Sequence, residues 1–82
     1  IGKVYLAQKK YIRATSEFRR LTIISPNNPI GYHYLGIALK SRKRNDEAIS
    51  ALETAVKLYQ KEGKTKQVKK LTELIEEIND EE

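Results

Sequence analysis

An internal period of 34 residues constrains this sequence more than any other feature. Two stretches of the chain carry small or apolar residues at matching positions when they are offset by that period. The matching pairs are Ile1 and Leu35, Gly2 and Gly36, Tyr5 and Leu39, Ala14 and Ala48, Phe18 and Leu52, Leu21 and Ala55, and Ile24 and Leu58. Periods of about 20 to 50 residues are typical of proteins built from stacked structural repeats. The sequence therefore predicts a repeat architecture.

Each repeat has the pattern of two amphipathic helices joined by a short turn. In the second copy, one face of each helix is formed by Tyr32, Leu35, Gly36 and Leu39, and then by Ala48, Leu52, Ala55 and Tyr59. Intervals of three and four residues place each set on one side of a helix. Gly36 lies at the centre of its set, so the two helices can approach closely there. The expected fold class is all-α, with antiparallel helix-turn-helix repeats stacked as an α-solenoid.

Start and stop signals give approximate helix bounds. Asn28 is a good N-cap and Pro29 suits a first helical position, Asn45 marks the start of a later helix by a capping side chain, and Gly63 is a natural left-handed terminator. The predicted helices cover about residues 1–8, 11–24, 29–42, 45–62 and 65–79, with Ala14, Phe18, Leu21 and Ile24 facing inward on the second. This divides the chain into a first repeat at 1–28, incomplete at its N-terminal side, a second at 29–62, and a capping helix with its tail at 63–82.

The last predicted helix does not continue the repeat. Lys69 and Lys70 stand where a third copy would have Leu and Gly. Its apolar stripe consists of Val68, Leu71, Leu74, Ile75 and Ile78, and its opposite face is charged. A terminal repeat needs a polar outer surface, so we interpret this segment as a capping helix. A different alignment makes it resemble a repeat's second helix, and both alignments pack it antiparallel on the helix before it.

The order of residue types resembles the tetratricopeptide repeat, from residue 1 to about residue 62. That family's pattern has an aromatic residue, Leu-Gly, a further aromatic, Ala, a large apolar residue and a closing Pro. Here Tyr32 replaces the usual Trp and Leu39 replaces the Tyr, while the closing Pro is Pro26 in the first copy but Gln60 in the second. The resemblance implies a protein-binding scaffold or assembly factor. An unrelated bundle of helical hairpins is the alternative.

In tetratricopeptide proteins, first-helix positions line a concave groove that receives a peptide. The matching positions here are Lys3, Leu6, Ala7, Ile30, His33, Ile37, Lys40 and Ser41. Such a groove is part apolar and part cationic, which suits a peptide or helix with apolar anchors and at least one carboxylate. We expect His33 to be a solvated groove residue. The resemblance does not distinguish a scaffold from an assembly chaperone, whether of a photosynthetic complex or of a secretion system.

Charge suggests a second hypothesis. Residues 1–44 hold ten Lys or Arg and one acidic residue, Glu17. Five of these cations fall in or beside the predicted turns of the two repeats, where stacking would align them into a basic ridge: Lys9, Lys10, Arg42, Lys43 and Arg44. A basic ridge could bind RNA, an anionic membrane or an acidic protein surface. Nucleic acid is not favoured, because Tyr5, Phe18 and Tyr32 are assigned to the core rather than to base stacking.

Composition narrows the remaining functions. The chain has no cysteine, which fits a reducing compartment without identifying one. No apolar run approaches the length of a membrane span. His33 is the single histidine, and no nucleophile or metal cluster accompanies it, so we expect neither an enzyme nor a cofactor. Self-association is a further expectation, because Ile1 and Tyr5 would lack a covering helix and about three repeats are usually needed for stability.

Overall fold

The computed structural model describes the backbone of residues 2–81 and the side chains of residues 10–81. Within this range the chain forms α1 (Gly2–Ile24), α2 (Pro29–Ser41), α3 (Asn45–Lys61) and α4 (Thr65–Glu81). Each helix packs mainly on its neighbour in sequence, in the order α1 on α2, α2 on α3 and α3 on α4. Short connections make consecutive helices antiparallel. The all-α prediction is confirmed, and none of the helices described is long and apolar enough to span a bilayer.

The predicted turn at Lys9 and Lys10 is wrong, because α1 runs through both residues without a break. The segment from Gln8 to Tyr11 contains no Gly, Pro or Asn, and its residues are compatible with helix. The corresponding turn of the second repeat does form, because Lys43 adopts a left-handed conformation there. Residues 2–24 thus form one helix, where the sequence analysis predicts two. Only one of the two turns expected to form the basic ridge is present among the described residues.

Two similar turns connect α2 to α3 and α3 to α4. Lys43 and Gly63 both have positive φ, at 64° and 72°. The next residue in each turn donates its backbone N–H to a carbonyl of the preceding helix, Arg44 to Leu39 and Lys64 to Tyr59, both at 2.9 Å. This pattern ends a helix and reverses the chain within three residues. Gly63 is confirmed as a left-handed terminator, whereas the same role for Lys43 was not predicted.

Helix starts agree with the sequence at α2 and disagree at α3. The side-chain oxygen of Asn28 accepts a hydrogen bond from the backbone N–H of Ile30 at 3.0 Å, and Pro29 begins α2. The predicted cap at Asn45 is wrong: Arg44 occupies the N-cap position and makes no side-chain cap. The left-handed Lys43 shifts Asn45 into the first helical position, where its Oδ1 is buried without a hydrogen-bond partner.

The core centres on α3, which lies between α2 and α4. Its predicted inner face is buried, at Ala48, Leu52, Ala55 and Tyr59. Leu35 and Leu39 cover this face from α2, and Leu71 and Ile78 cover it from α4, with Val68, Leu74 and Ile75 packed around them. The predicted apolar stripe of the last helix is therefore confirmed. On α1 the inward assignment of Ile24 is wrong, since that side chain is 66% exposed at a helix end with no other helix over it.

Gly36 lies at the closest approach of α2 and α3. A Cβ atom at this position would be 2.5 Å from Cγ and Cδ2 of Leu52 and 3.3 Å from the carbonyl oxygen of Ala48. Real Cβ contacts are longer than 2.5 Å, so any side chain here requires either the Leu52 side chain to be displaced or the helices to separate. The close crossing expected from the sequence is present, and it fixes how α2 is rotated on α3.

Candidate functional site

The outer face of α2 carries a stripe of exposed apolar side chains. Ile30, Tyr34 and Ile37 are 48%, 46% and 37% exposed. Their spacing of four and then three residues places them along one side of the helix. Lys40, half-buried, and Ser41, exposed, continue the stripe at the C-terminal end. We call these residues together with His33 the α2 face: Ile30, His33, Tyr34, Ile37, Lys40 and Ser41.

Two close helix contacts determine which side of α2 faces outward. Gly36 faces α3 at the crossing described above. Gly31 faces α1, where an added Cβ would lie 3.2 Å from Cγ of Leu21. With both neighbours packed closely, rotation of α2 about its axis is blocked. The exposed stripe is therefore a fixed consequence of the packing.

The structure brings five of the eight predicted groove residues onto one helix face. These five are Ile30, His33, Ile37, Lys40 and Ser41. The other three, Lys3, Leu6 and Ala7, have side chains outside the described residues. Tyr34 was missed as a member of the face, although it stands four residues after Ile30 and three before Ile37. That spacing is the signal that would have found it.

His33 is less solvated than the sequence analysis expected. Its side chain is half-buried, and Nδ1 lies 3.1 Å from the Tyr59 hydroxyl of α3. The imidazole also stacks on Tyr34, with ring centroids 5.2 Å apart, and Tyr34 in turn stacks on Phe18 of α1 at 5.4 Å. This row of four rings (Phe18, Tyr34, His33 and Tyr59) links three helices, and its two middle rings belong to the α2 face.

Burial shifts the pKa values of both partners in the hydrogen bond between His33 and Tyr59. Burial lowers the pKa of His33 from its ordinary value, and the nearby ammonium of Lys70 on α4 lowers it further. Burial raises the pKa of Tyr59, with smaller contributions from Tyr34 and Glu62. Both shifts favour the neutral forms. A neutral imidazole accepts at Nδ1 the hydrogen bond that a neutral phenol donates.

The lowered pKa of His33 predicts that acid destabilises the fold. Below the ordinary His pKa of about 6.5 the unfolded chain binds a proton that the folded chain resists, so stability is present at higher pH and falls as pH decreases through that value. Unfolding midpoints measured at about pH 7.5 and pH 5.5 should therefore differ more for the wild type than for His33→Phe, which does not titrate. An equal decrease of the midpoint in both proteins on acidification would mean that titratable groups other than His33 cause the loss of stability.

A cleft continues from the N-terminal end of the α2 face. It has a volume of about 350 Å³ and lies between the start of α2 and the turn from α3 to α4. Its lining includes Ile30 and Tyr59 as apolar walls and Glu62, Lys64 and Gln67 as polar ones. Ile30 belongs to both the cleft and the α2 face, so the two surfaces are continuous. Gln67 and Lys64 are further residues that the sequence analysis did not assign to a site.

The five cations predicted to form a ridge do not lie in two aligned turns, because Lys9 and Lys10 lie within α1. Lys10, Lys43 and Arg44 are exposed, and Arg42 is half-buried. The guanidinium of Arg44 lies 3.4 Å from the carboxylate of Glu47. The side chain of Lys9 lies outside the described residues. Arg42, Lys43 and Arg44 remain together in the turn from α2 to α3, and this turn lies against Tyr11 and Ile12 near the middle of α1.

Among residues 10–81, whose side chains the structure describes, no three His, Asp or Glu side chains are grouped to hold a metal ion.

Two curated relatives are similar to most of the chain. A TPR repeat-containing protein of Picosynechococcus sp. is 39% identical over 62 residues, which are 76% of this chain and 16% of that protein. The cell division cycle protein 27 homolog B of Arabidopsis thaliana is 34% identical over 56 residues, 68% of this chain and 8% of that protein. The chain thus spans less than a fifth of the length of these relatives. No protein-family model matches it, and no solved structure matches it.

Proposed function

Because the chain belongs to the tetratricopeptide-repeat family, we propose that it is a protein–protein interaction module that binds a peptide or a helix of a partner on the α2 face. In this role it acts as a scaffold or assembly factor and not as an enzyme. The relatives are much longer than this chain. The proposal accordingly concerns the surface that these repeats contribute.

The exposed stripe of Ile30, Tyr34 and Ile37 is the observation that supports this function best. Single exposed apolar side chains are ordinary on protein surfaces, but a contiguous apolar patch is typical of an interaction site. A helix that offers residues at spacings of three and four can hold the apolar side of a partner helix or alternate residues of an extended peptide. Close packing of α2 against both neighbours keeps the stripe rigid, which reduces the entropy lost on binding.

The charges around the stripe indicate the chemistry of the partner. Lys40 lies at the C-terminal end of the α2 face, and Lys70 of α4 is near enough to His33 to lower its pKa. A partner with apolar anchors and at least one carboxylate would complement both the stripe and these ammonium groups. The partner proposed is therefore an apolar peptide or helix with acidic residues at its edges.

A charge placed in the stripe tests the proposal. In Ile37→Glu, we expect binding to fall by more than about tenfold, since an apolar contact is replaced by a carboxylate that the partner must desolvate. Ile23→Glu is the matched control, because Ile23 is the most exposed isoleucine of α1 and lies outside the α2 face. The ligand is a peptide selected from a displayed random library for binding to the chain, measured by fluorescence anisotropy.

Both variants should keep the wild-type helical content, because both positions are exposed. The proposal is supported if only Ile37→Glu loses affinity. Equal affinity of Ile37→Glu and the wild type would contradict it, as would an equal loss in both variants.

A further inference from the structure

The turn between α2 and α3 and the middle of α1 enclose a second concave surface. Its volume is about 320 Å³, and it is lined by Tyr11 and Ile12 of α1 and by the four consecutive residues Ser41, Arg42, Lys43 and Arg44. We call this surface the basic cleft. It shares only Ser41 with the α2 face. Tyr11 and Ile12 are 40% and 50% exposed there, so the cleft has an apolar wall and a cationic wall.

The cationic wall is fixed by its backbone. Lys43 has a φ of 64°, and its N–H donates to the carbonyl of Lys40 at 2.9 Å. The N–H of Arg42 donates to the carbonyls of Ala38 and Leu39, both at 3.1 Å. These bonds hold the backbone of three consecutive basic residues in a tight turn, so their side chains start close together without a binding partner. A backbone held in this way loses little freedom when a ligand binds.

The basic cleft has few carboxylates of its own. Glu47 is close to Arg44, and Asp46 follows in the first turn of α3. Lys10 and Arg13 are exposed on α1 on either side of Tyr11 and Ile12 in sequence. Arg42 and Lys43 have no salt bridge among the described residues. The local charge is therefore positive, and its complement is an acidic ligand.

We propose that the basic cleft binds an acidic protein segment that carries one apolar side chain as an anchor between its carboxylates. The anchor packs on Tyr11 and Ile12, and the carboxylates pair with Arg42 and Lys43. This site is separate from the α2 face and does not depend on it. The occupant is a protein segment because the cleft combines cations with an aliphatic wall, and an RNA backbone offers nothing to bury against Ile12.

Other anionic partners fit the geometry less well. Single-stranded nucleic acid binds on rows of exposed aromatic rings, and among the residues with described side chains Tyr11 is the one aromatic residue that lines this cleft. A membrane surface contacts protruding apolar side chains, whereas Ile12 and Tyr11 line a concavity. An acidic segment with a protruding anchor satisfies both the shape and the charge.

Short synthetic peptides with acidic residues on both sides of a single Leu or Phe test this assignment. We expect them to bind the full chain with an affinity that decreases with added salt, because part of it is electrostatic. Replacing the peptide's Leu or Phe by Ser should weaken binding by about tenfold. On the protein, Ile12→Ser and the double change Arg42→Gln with Lys43→Asn should each weaken it by about tenfold, and the double change should also flatten the salt dependence. Asn at position 43 tolerates the left-handed backbone.

Matched controls separate this surface from the rest of the chain. Ile23→Ser and Lys57→Gln make the same kinds of change at exposed positions outside the cleft, and both should bind the acidic peptides like the wild type. Ile37→Glu should also bind them normally, so failure of the α2 face and failure of the basic cleft are distinguishable. The assignment is overturned if no acidic peptide binds, if Ile12→Ser binds as tightly as Ile23→Ser, or if polyuridine RNA or phosphatidylserine vesicles bind more tightly than the peptides.

Discussion

Replacing Gly36 with leucine should lower the free energy of unfolding by about 3 kcal/mol, the upper end of the usual cost of overpacking a core. A Cβ at this position would lie 2.5 Å from two atoms of the Leu52 side chain. Leu52 is fully buried and belongs to the core cluster, so its side chain cannot move aside without disturbing its neighbours. Either Leu52 is displaced or the two helices separate, and both changes lose apolar packing between α2 and α3. For a domain of this size the thermal midpoint should decrease by more than about 10 °C.

Two further variants identify the cause of this decrease. Gly36→Ala should destabilise less, because it adds the clashing Cβ alone. In the double variant Gly36→Leu with Leu52→Ala, the space left at position 52 should accommodate part of the new side chain. Its loss of stability should therefore be smaller than the sum of the two single losses. A wild-type midpoint for Gly36→Leu in thermal unfolding followed by circular dichroism would mean that α2 and α3 do not cross at Gly36.

Replacing Ile78 with aspartate should destabilise the protein by several kcal/mol and release α4 from α3. Ile78 is fully buried and belongs to the same core cluster as Leu52 and Leu71. A carboxylate there has no cationic partner within the apolar cluster, and burying an unpaired charge is strongly unfavourable. Undocking α4 avoids that cost but uncovers the outer side of α3. The expected result is rapid hydrogen exchange of the α4 amides and a broadened unfolding transition.

Asn79→Asp is the control for this change, since it introduces the same carboxylate one residue later at an exposed position. It should leave the exchange of α4 amides close to that of the wild type. If Ile78→Asp retained slow exchange throughout α4, the capping helix would not be held by its apolar stripe, and the packing of α4 on α3 would be wrong.

The pairing of α2 with α3 could be predicted from the sequence because each of its determinants is local. The interval between Leu35 and Leu39 gives the helix face, Asn28 and Pro29 give the start of α2, and Gly63 gives the end of α3. Gly36 gives the crossing point, because only a small residue suits a close approach. Each of these signals depends on a few neighbouring residues, and the structure agrees with all of them.

The predictions that failed have different causes. The repeat period placed a turn at Lys9 and Lys10, but no residue there stops a helix, and α1 continues. Asn45 is a good cap by residue type, yet the position of the turn is decided by Lys43, a residue that rarely adopts positive φ. Ile24 matched an inward position of the repeat, but a helix end with no further helix over it leaves the side chain exposed.

In the candidate site, too, some features follow from the sequence and others depend on how the helices pack. Ile30 and Ile37 followed from their offsets within the repeat, and both are exposed on α2. The hydrogen bond between His33 and Tyr59 joins two helices. Its geometry depends on how α2 is rotated on α3, which helical periodicity alone does not determine. Tyr59 was correctly assigned to the inner face of its helix, but that assignment did not show that its hydroxyl reaches the imidazole of His33.

The central claim, that the α2 face receives the partner, is tested most directly by mapping a bound peptide. The peptide is selected from a displayed random library without regard to where it binds, and backbone amide chemical shifts of the labelled chain are followed as it is added. We expect the largest chemical-shift changes at Ile30, His33, Tyr34, Ile37 and Lys40, and none on the surfaces of α3 and α4 that face away from α2. Chemical-shift changes confined to the surfaces of α3 and α4 that face away from α2, with no change on α2, would contradict binding on the α2 face.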